Sequence, residues 1–559
     1  MKKKLLAIFL ATAMIVSLAA CGGGGGGSSE GNTGAAAEEI YPLQNLNIRM
    51  ALTTAIDRET ITAAVLKDGS QASYRAVPKD FCTGPDEKDF SEDQEMHKDV
   101  CSFDAAKAAD YWKKGLEELG VDGFEIEMIV DDDDAPRKVS TVLKEQWETT
   151  LPGLTVNLRT EPKKQRVEDM QDGNFDLALT RWGPDYADPM TYLGMWITDN
   201  DNNYGHWSNA DYDGIIQECT TGETAMNPEA RWKQLFDAEA IVLNEAVIFP
   251  IYTQCNAEMI SSKVSGIEFH PVALNRVYKN AAKEGGGDLN VMFETGVESL
   301  DPQVATDGTS FEFIANYTDG LMQMDADGQP IPAIAESYDI SEDGKEYTFH
   351  LRDAKWSNGT PVTAADFVFA WQRAVDPELA SEYSYMLSDI GQIKNAAEII
   401  AGEKDKSELG VTAVDDKTLK VELNVPVSYF LSLMYFPTFY PMNEEFFNST
   451  GGNYGTSADT VISNGAFVLD DYTVAGNSLH LTKNNDYWNA DKVQLPGISY
   501  QVIQDSQQAL MSYQKGDLDT TLINGDQVDQ VKDSDEFNAI GAGYLWYVSP
   551  NIQDFKIGK

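Results

Sequence analysis

Basic residues are scarce in this chain. It carries 42 lysines and arginines against 90 aspartates and glutamates over 559 residues, a formal net charge of −48. Such a chain repels phosphate backbones and anionic lipid surfaces, which excludes nucleic-acid binding. Histidine is rarer still: His97, His206, His270, His350 and His480 show no ligand spacing, so no metal centre is expected. Long hydrophobic runs are missing except at residues 5–20, and that run falls short of the roughly 20 residues needed to span a bilayer. No nucleophile–base pair is visible. Gly27-Ser28-Ser29-Glu30-Gly31 fits the pattern of a nucleophile elbow, but it lies in a low-complexity linker with no strand before it and no helix after it.

Apolar material for cores is ample. With 42% hydrophobic residues and 10% aromatics, the chain can fill two or three packed domains. At its start, Lys2, Lys3 and Lys4 precede the apolar run, and Cys21 and six glycines follow it, the layout of a secretion signal. Leu18-Ala19-Ala20-Cys21 resembles a bacterial lipobox, which implies a lipoprotein signal peptide over residues 1–20, a lipid on Cys21 and a flexible tether over residues 21–44. Export permits disulfides. Cys82 and Cys101 bracket an acidic, turn-rich loop and are expected to pair, while Cys219 and Cys255 either form a second bridge or remain buried thiols.

Residues 45–255 read as an α/β lobe, with strand-like runs at 125–130, 154–159 and 175–180 separated by helical segments; parallel crossovers are expected. Asn227-Pro228-Glu229 supplies a helix cap, a proline at the first helical position and an early acid, ahead of a stripe of Trp232, Leu235, Phe236, Val242 and Leu243. The acidic run Asp131 to Asp134 is expected as a solvated helix start. Residues 321–332 predict a hairpin turning at Asp327-Gly328. A calcium loop is ruled out there, because Gln323 and Ile334 fall where acids are needed. Thr363 and Asp366 predict a capping box for a helix bearing Phe367, Ala370 and Trp371, and residues 544–551, YLWYVSPN, predict a strand.

Two blocks of motifs carry a family resemblance. The first is RWGPDYADP at residues 181–189. The second is LRDAKWSNGTPVTAADFVFAWQR at residues 351–373, with ISNGAFVL at 462–469, NNDYW at 484–488 and GDLD at 516–519. Both blocks resemble the oligopeptide-binding proteins of ATP-driven importers, the family 5 extracellular solute-binding proteins, where they occur in the opposite order. Residues 288–302, DLNVMFETGVESLDP, resemble the start of the mature family fold, and residues 248–280 resemble its end. The strand at 544–551 would run, in that fold, directly into residues 45–59.

The resemblance implies an α/β, two-lobed, periplasmic-binding-protein-like fold of the type II, large peptide-binding class, circularly permuted. Residues 45–255 would be the second lobe, completed by 543–559. Residues 256–284 would be strands returning to the first lobe, 285–287 a glycine linker, 288–315 the start of the first lobe, 316–445 an accessory domain and 446–542 the rest of the first lobe. The lobes would hinge near residues 255 and 543.

On the same basis, Asp185 pairs with the free α-ammonium of an extended oligopeptide. Arg181, Trp182 and Gly183 offer backbone groups on one side of that ligand, and Gly296, Val297 and Glu298 on the other. Pro184 lacks an amide donor, so the main-chain pattern departs from the family there. Local sequence alone reads Asp185 as a turn residue before a helix near Pro189. The implied protein is a monomeric receptor, without catalysis or cofactor, lipid-anchored on the extracellular face of a bacterial cytoplasmic membrane, which passes peptides to a membrane permease. The alternatives are a receptor of the same fold for dipeptides, metal chelates or oligosaccharides and, more distantly, a secreted acidic hydrolase.

Overall fold

Two long strands, Phe249–Ile260 and Phe537–Pro550, pair antiparallel and organise the largest sheet. The computed structural model describes residues 39–558 apart from 86–87, 93–99, 273, 327 and 473–477. The expected signal peptide, Cys21, all but the end of the tether, and Asp327 lie outside the described residues. Among the described residues, no helix is long and apolar enough to cross a membrane.

The largest sheet has seven strands. Their order is Gln71–Ala72, Phe249–Ile260, Phe537–Pro550, Leu177–Trp182, Phe124–Asp131 and Leu154–Glu161, with Thr520–Ile523 also paired to Phe249–Ile260. Phe124–Asp131 runs parallel to both Leu154–Glu161 and Leu177–Trp182, as the crossovers predicted. The third strand starts two residues later than its apolar pattern suggested. Phe175 instead packs with Ile129 and Met170, and Asp176 accepts the Glu127 amide at 2.8 Å.

Helix Asp134–Thr150 packs Val139, Leu143 and Trp147 inward, and Trp147 Nε1 donates to the Leu52 carbonyl at 2.8 Å, fastening helix Leu46–Thr54. The acidic run is not uniformly solvated as expected. Asp131 is 2% exposed and bound to Arg166 at 2.6 Å, which leaves only the next three acids facing water. Helix Pro228–Asn244 is capped by Asn227, which accepts the Ala230 amide at 3.1 Å; Leu235, Val242 and Leu243 are buried, and Trp232 and Phe236 partly so.

A four-stranded sheet holds Leu289–Phe293, Gly497–Val502, Ser478–Lys483 and Phe467–Asp471, the first pair parallel and the others antiparallel. A four-stranded antiparallel sheet is built from Ala335–Ile340, Glu346–Leu351, Thr418–Glu422 and Val411–Asp415. Beside it, helix Ala364–Ala374 buries Phe367, Ala370 and Trp371. Asp366 closes the predicted box by accepting the Thr363 amide at 2.8 Å. The predicted hairpin is also present, pairing Met322–Met324 with Pro330–Pro332.

The two long strands serve two cores. Phe249, Ile251, Trp546 and Val548 pack with Ile48, Leu52 and Phe555, whereas Ala257 and Met259 pack with Leu510, Ile523 and Val528. Between these cores the register slips: Gly541 faces Cys255, and the next paired residue, Leu545, faces Thr253. Gly543, inside the slip, has φ +71°, and a Cβ there would lie 1.8 Å from the Pro271 carbonyl oxygen. Only glycine fits.

Near the glycine junction, His480 bridges Asp470 at 2.6 Å and Asp288 at 3.1 Å. Partial burial opposes protonation of the ring, but the two carboxylates outweigh it and raise the pKa above 6.5. The bridge therefore stabilises the fold fully below pH 6.5, and its contribution is lost as pH rises through the raised value. His480→Gln should lower stability at pH 5.5 by roughly 0.5 kcal/mol, a small effect because solvent screens the group. At pH 9 the variant and the parent should unfold at the same urea concentration, and a loss equal at both pH values would contradict this assignment.

Candidate functional site

The motif RWGPDYADP leaves the sheet at the register slip. Its strand, Leu177–Trp182, pairs with the second long strand so that Arg181 faces Trp546 and Trp182 faces Leu545. Arg181 is stacked between aromatic rings, 4.8 Å from the Tyr544 centroid and 5.2 Å from that of Trp546, and donates to Gln254 Oε1 at 3.2 Å. Gly183 sits directly under Tyr544, where a Cβ would come within 2.3 Å of the ring. Tyr192 donates its hydroxyl to the Gly543 carbonyl, tying the helix after the motif to the slip.

The two aspartates of the motif have different fates. Asp188 is 7% exposed and grips Arg231 with both oxygens, at 2.7 and 2.8 Å. Arg231 also donates to the Cys219 carbonyl and lies over Tyr429, which stacks on Tyr186. Removing one partner from such a pair leaves a buried, uncompensated charge costing about 3 to 5 kcal/mol. Asp188 is thus a structural residue whose needs are met within the protein.

Asp185 has no such partner. The described residues place no cation within 4 Å of its carboxylate, which receives one hydrogen bond, from the Tyr385 hydroxyl at 3.3 Å. Protein packs densely around it while a small part of its surface still meets solvent. Desolvation dominates, so its pKa rises from 3.8 to about 6 despite the hydrogen bond from Tyr385. The carboxylate is not spent on capping a helix at Pro189, the role that local sequence suggested. Only its backbone amide points that way, 3.4 Å from Thr191 Oγ1.

Aromatic rings enclose the carboxylate. Tyr385 lies 5.6 Å from Tyr383, which stacks on Phe436 and meets Phe311 edge-on. Three polar atoms in this neighbourhood are buried without a hydrogen-bond partner: Trp182 Nε1, the Tyr435 hydroxyl and Asp307 Oδ2. Sequence reasoning did not select Tyr383, Tyr385, Tyr435 or Asp307. Their only signal there was an ordinary aromatic pattern and a helix cap, because they reach the site from segments far apart in the chain.

Gly296, Val297 and Glu298 are placed differently from one another. A Cβ at Gly296 would meet nothing within 4 Å, and Val297 packs against the larger core. The Glu298 amide is already donated to Ser310 Oγ at 3.0 Å, so that donor is not open to a ligand as expected. Helix Gly308–Tyr317 links Glu298 to the rings around Asp185, since its Ser310 holds the Glu298 amide and its Phe311 touches Tyr383.

Two cavities of about 310 and 790 Å³ adjoin the motif and the slip. Asp80, Phe269 and Pro271 line both; Ala187 lines the smaller, and Gly541 and Gly543 line the larger. Volumes of this size suit an elongated small ligand, although Asp185 itself lines neither.

The expected Cys82–Cys101 bridge is not formed. Both are free, buried thiols with different neighbours: Cys82 lies in the field of Asp188, Asp89 and Arg231, whereas Cys101 lies beside Arg58 and Thr53. Burial pushes both thiols up, away from the reactive thiolate. Cys219 and Cys255 are likewise free and buried.

The oligopeptide-binding protein OppA of Bacillus subtilis is 40% identical over 237 residues, 42% of this chain and 43% of its own length. The dipeptide-binding protein DppE of the same organism is 32% identical over 286 residues, 49% of this chain and 51% of that one. Among solved structures, Listeria monocytogenes OppA bound to peptide is 41% identical, covering 45% of this chain and 49% of that chain, with a TM-score of 0.44. The chain thus spans about half the length of the relatives it matches. The family model described as bacterial extracellular solute-binding proteins, family 5 Middle, matches residues 28–204 and 329–556, more than half of the sequence. With a mixed α/β fold and these matched segments, the chain belongs to the family 5 bacterial extracellular solute-binding proteins.

Proposed function

We propose that this protein is an extracellular receptor for oligopeptides, which it holds between two lobes by the peptide's free N-terminus and hands to an ATP-driven importer. The observation that carries this reading is Asp185, a carboxylate raised to about pKa 6 by desolvation, with one tyrosine hydroxyl as its partner and no cation beside it. A primary ammonium supplies the missing counter-charge through charge-assisted hydrogen bonds. Relatives named as oligopeptide- and dipeptide-binding proteins support a peptide ligand. A receptor role also fits the site's chemistry, since the cysteine thiols beside it are buried and pushed toward the neutral form. Anchoring through Cys21, a monomeric state and delivery to a permease complete the reading.

We further propose that the lobes are circularly permuted and close by hinge motion where the long strands slip. Gln44 donates to the Gln553 carbonyl at 3.3 Å, and Phe555 shares a core with Ile48 and Leu52, which supports an ancestral loop joining these segments. Lys283 Nζ donates to the Asp288 carbonyl at 2.7 Å across the glycine junction.

Three outcomes are expected. Calorimetry should show that peptides with free N-termini bind and that N-acetylated versions bind far more weakly. Asp185→Asn should cost on the order of 2 to 5 kcal/mol of binding, and affinity for the free peptide should fall as pH drops through about 6, where the Asp185 carboxylate takes up a proton. Equal affinity for acetylated and free peptides would sink the reading.

The second outcome concerns stability without ligand. A raised carboxylate pKa favours the folded state in acid, and that advantage is lost as pH rises through about 6. Asp185→Asn should therefore stabilise the ligand-free protein at pH 7.5 by roughly 1 to 2 kcal/mol, with the gain vanishing below pH 4. A variant destabilised at pH 7.5 would mean that the carboxylate has a partner after all.

Third, a protein opened within residues 285–287 and closed by a short linker between residues 555 and 44 should fold and bind peptide within about threefold of the parent. Failure to fold would contradict the permuted arrangement.

A further inference from the structure

A second carboxylate faces the same aromatic enclosure. Asp307 caps helix Gly308–Tyr317, with Oδ1 accepting the Ser310 amide at 2.9 Å, while Oδ2 is buried and accepts from no donor. A helix cap requires only one oxygen. Among the described residues that oxygen has no donor, although the side chain as a whole is only partly buried, so it is left available to a partner from outside the protein.

Geometry places Asp307 and Asp185 at opposite ends of a short run of rings. Asp307 begins the helix whose first turn carries Phe311. Phe311 meets Tyr383 edge-on at 5.3 Å, Tyr383 lies 5.6 Å from Tyr385, and Tyr385 donates to Asp185 at 3.3 Å. Both carboxylates act on the Tyr383 hydroxyl, whose ionisation burial suppresses first and their charges suppress further. Among the described residues, neither acid has a lysine or arginine within 4 Å. The Tyr435 hydroxyl, in a residue 2% exposed and in the field of Asp185, also lacks a partner among the described residues. These unpartnered atoms point to an occupant rather than to a self-contained packing cluster.

We propose that Asp307 is a specificity-determining residue which, together with Asp185, selects peptides whose first residue carries a basic side chain. The inference rests on the reading of Asp185 as the site for the α-ammonium. A ligand with a single cation compensates one carboxylate and leaves the other charge desolvated, which is unfavourable in a site of low polarity. A lysine or arginine at the first position brings two cations on one residue, the α-ammonium for Asp185 and the side chain for Asp307. The same residue moved to the second position points away from the pair, because successive side chains of an extended peptide alternate in direction.

Calorimetry with Lys-Ala-Ala-Ala, Ala-Lys-Ala-Ala and Ala-Ala-Ala-Ala separates the two readings. The parent protein should bind the first peptide about tenfold or more tightly than the other two. Asp307→Asn, in which asparagine keeps the helix cap, should melt no lower than the parent and bind all three within about twofold of one another. Asp185→Asn should weaken all three. Equal binding of the three peptides by the parent, or a preference that survives Asp307→Asn, would overturn the role of Asp307 while leaving the receptor reading intact. Failure of the parent to bind any free peptide would overturn the receptor reading, and this inference with it.

Discussion

The pairing of Phe249–Ile260 with Phe537–Pro550 is the constraint on which the rest of the molecule depends. Each strand is long enough to serve two cores, and the pair is interrupted where Gly541 and Leu545 slip past Cys255 and Thr253 and again, by one residue, between Trp546 and Tyr547. Backbone crowding makes the slip specific: Gly543 lies against the Pro271 carbonyl, and Tyr192 holds the Gly543 carbonyl. Because the motif strand pairs with the same long strand, residues Arg181 to Asp185 emerge beside the wider of the two breaks in the ladder. Gly541 and Gly543 at this break line the larger cavity, and the motif leaves the sheet beside it.

Near that break the chain treats similar groups in opposite ways. Asp188 and Arg231 pair through both carboxylate oxygens, and Asp131 has Arg166 as its counter-charge. Asp185, three residues before Asp188, is desolvated with only a tyrosine hydroxyl for company, and its ionisation is suppressed accordingly. Unlike those two pairs, this carboxylate is retained at a cost to the stability of the fold. Such a cost is typical of binding sites, where the compensating charge arrives with the ligand.

Local patterns were legible wherever their cause was local. Asn227-Pro228-Glu229 did cap its helix, Thr363 and Asp366 closed their box, and the strand-like runs at 125–130 and 154–159 became parallel neighbours. Expectations failed where a distant partner intervened. Asp131 looked like a solvated helix start until Arg166, itself held by Thr180, paired with it, and Cys82 and Cys101 suited a bridge until each was buried among separate neighbours. The Glu298 amide appeared open to a ligand because nothing in its vicinity announced Ser310 as its acceptor.

By itself, the sequence determined the class of fold, the family and the motif that carries the site, because helix caps, strand alternation and contiguous motifs are written in neighbouring residues. Tertiary structure decided which aspartate of RWGPDYADP is structural and which is left without a counter-charge, since that depends on Arg231 reaching Asp188 and no cation reaching Asp185. It also decided that Tyr385, Tyr383, Phe311 and Asp307 face a motif more than a hundred residues away. Charge compensation and burial are properties of position in space, and only the folded chain sets the distances on which they depend.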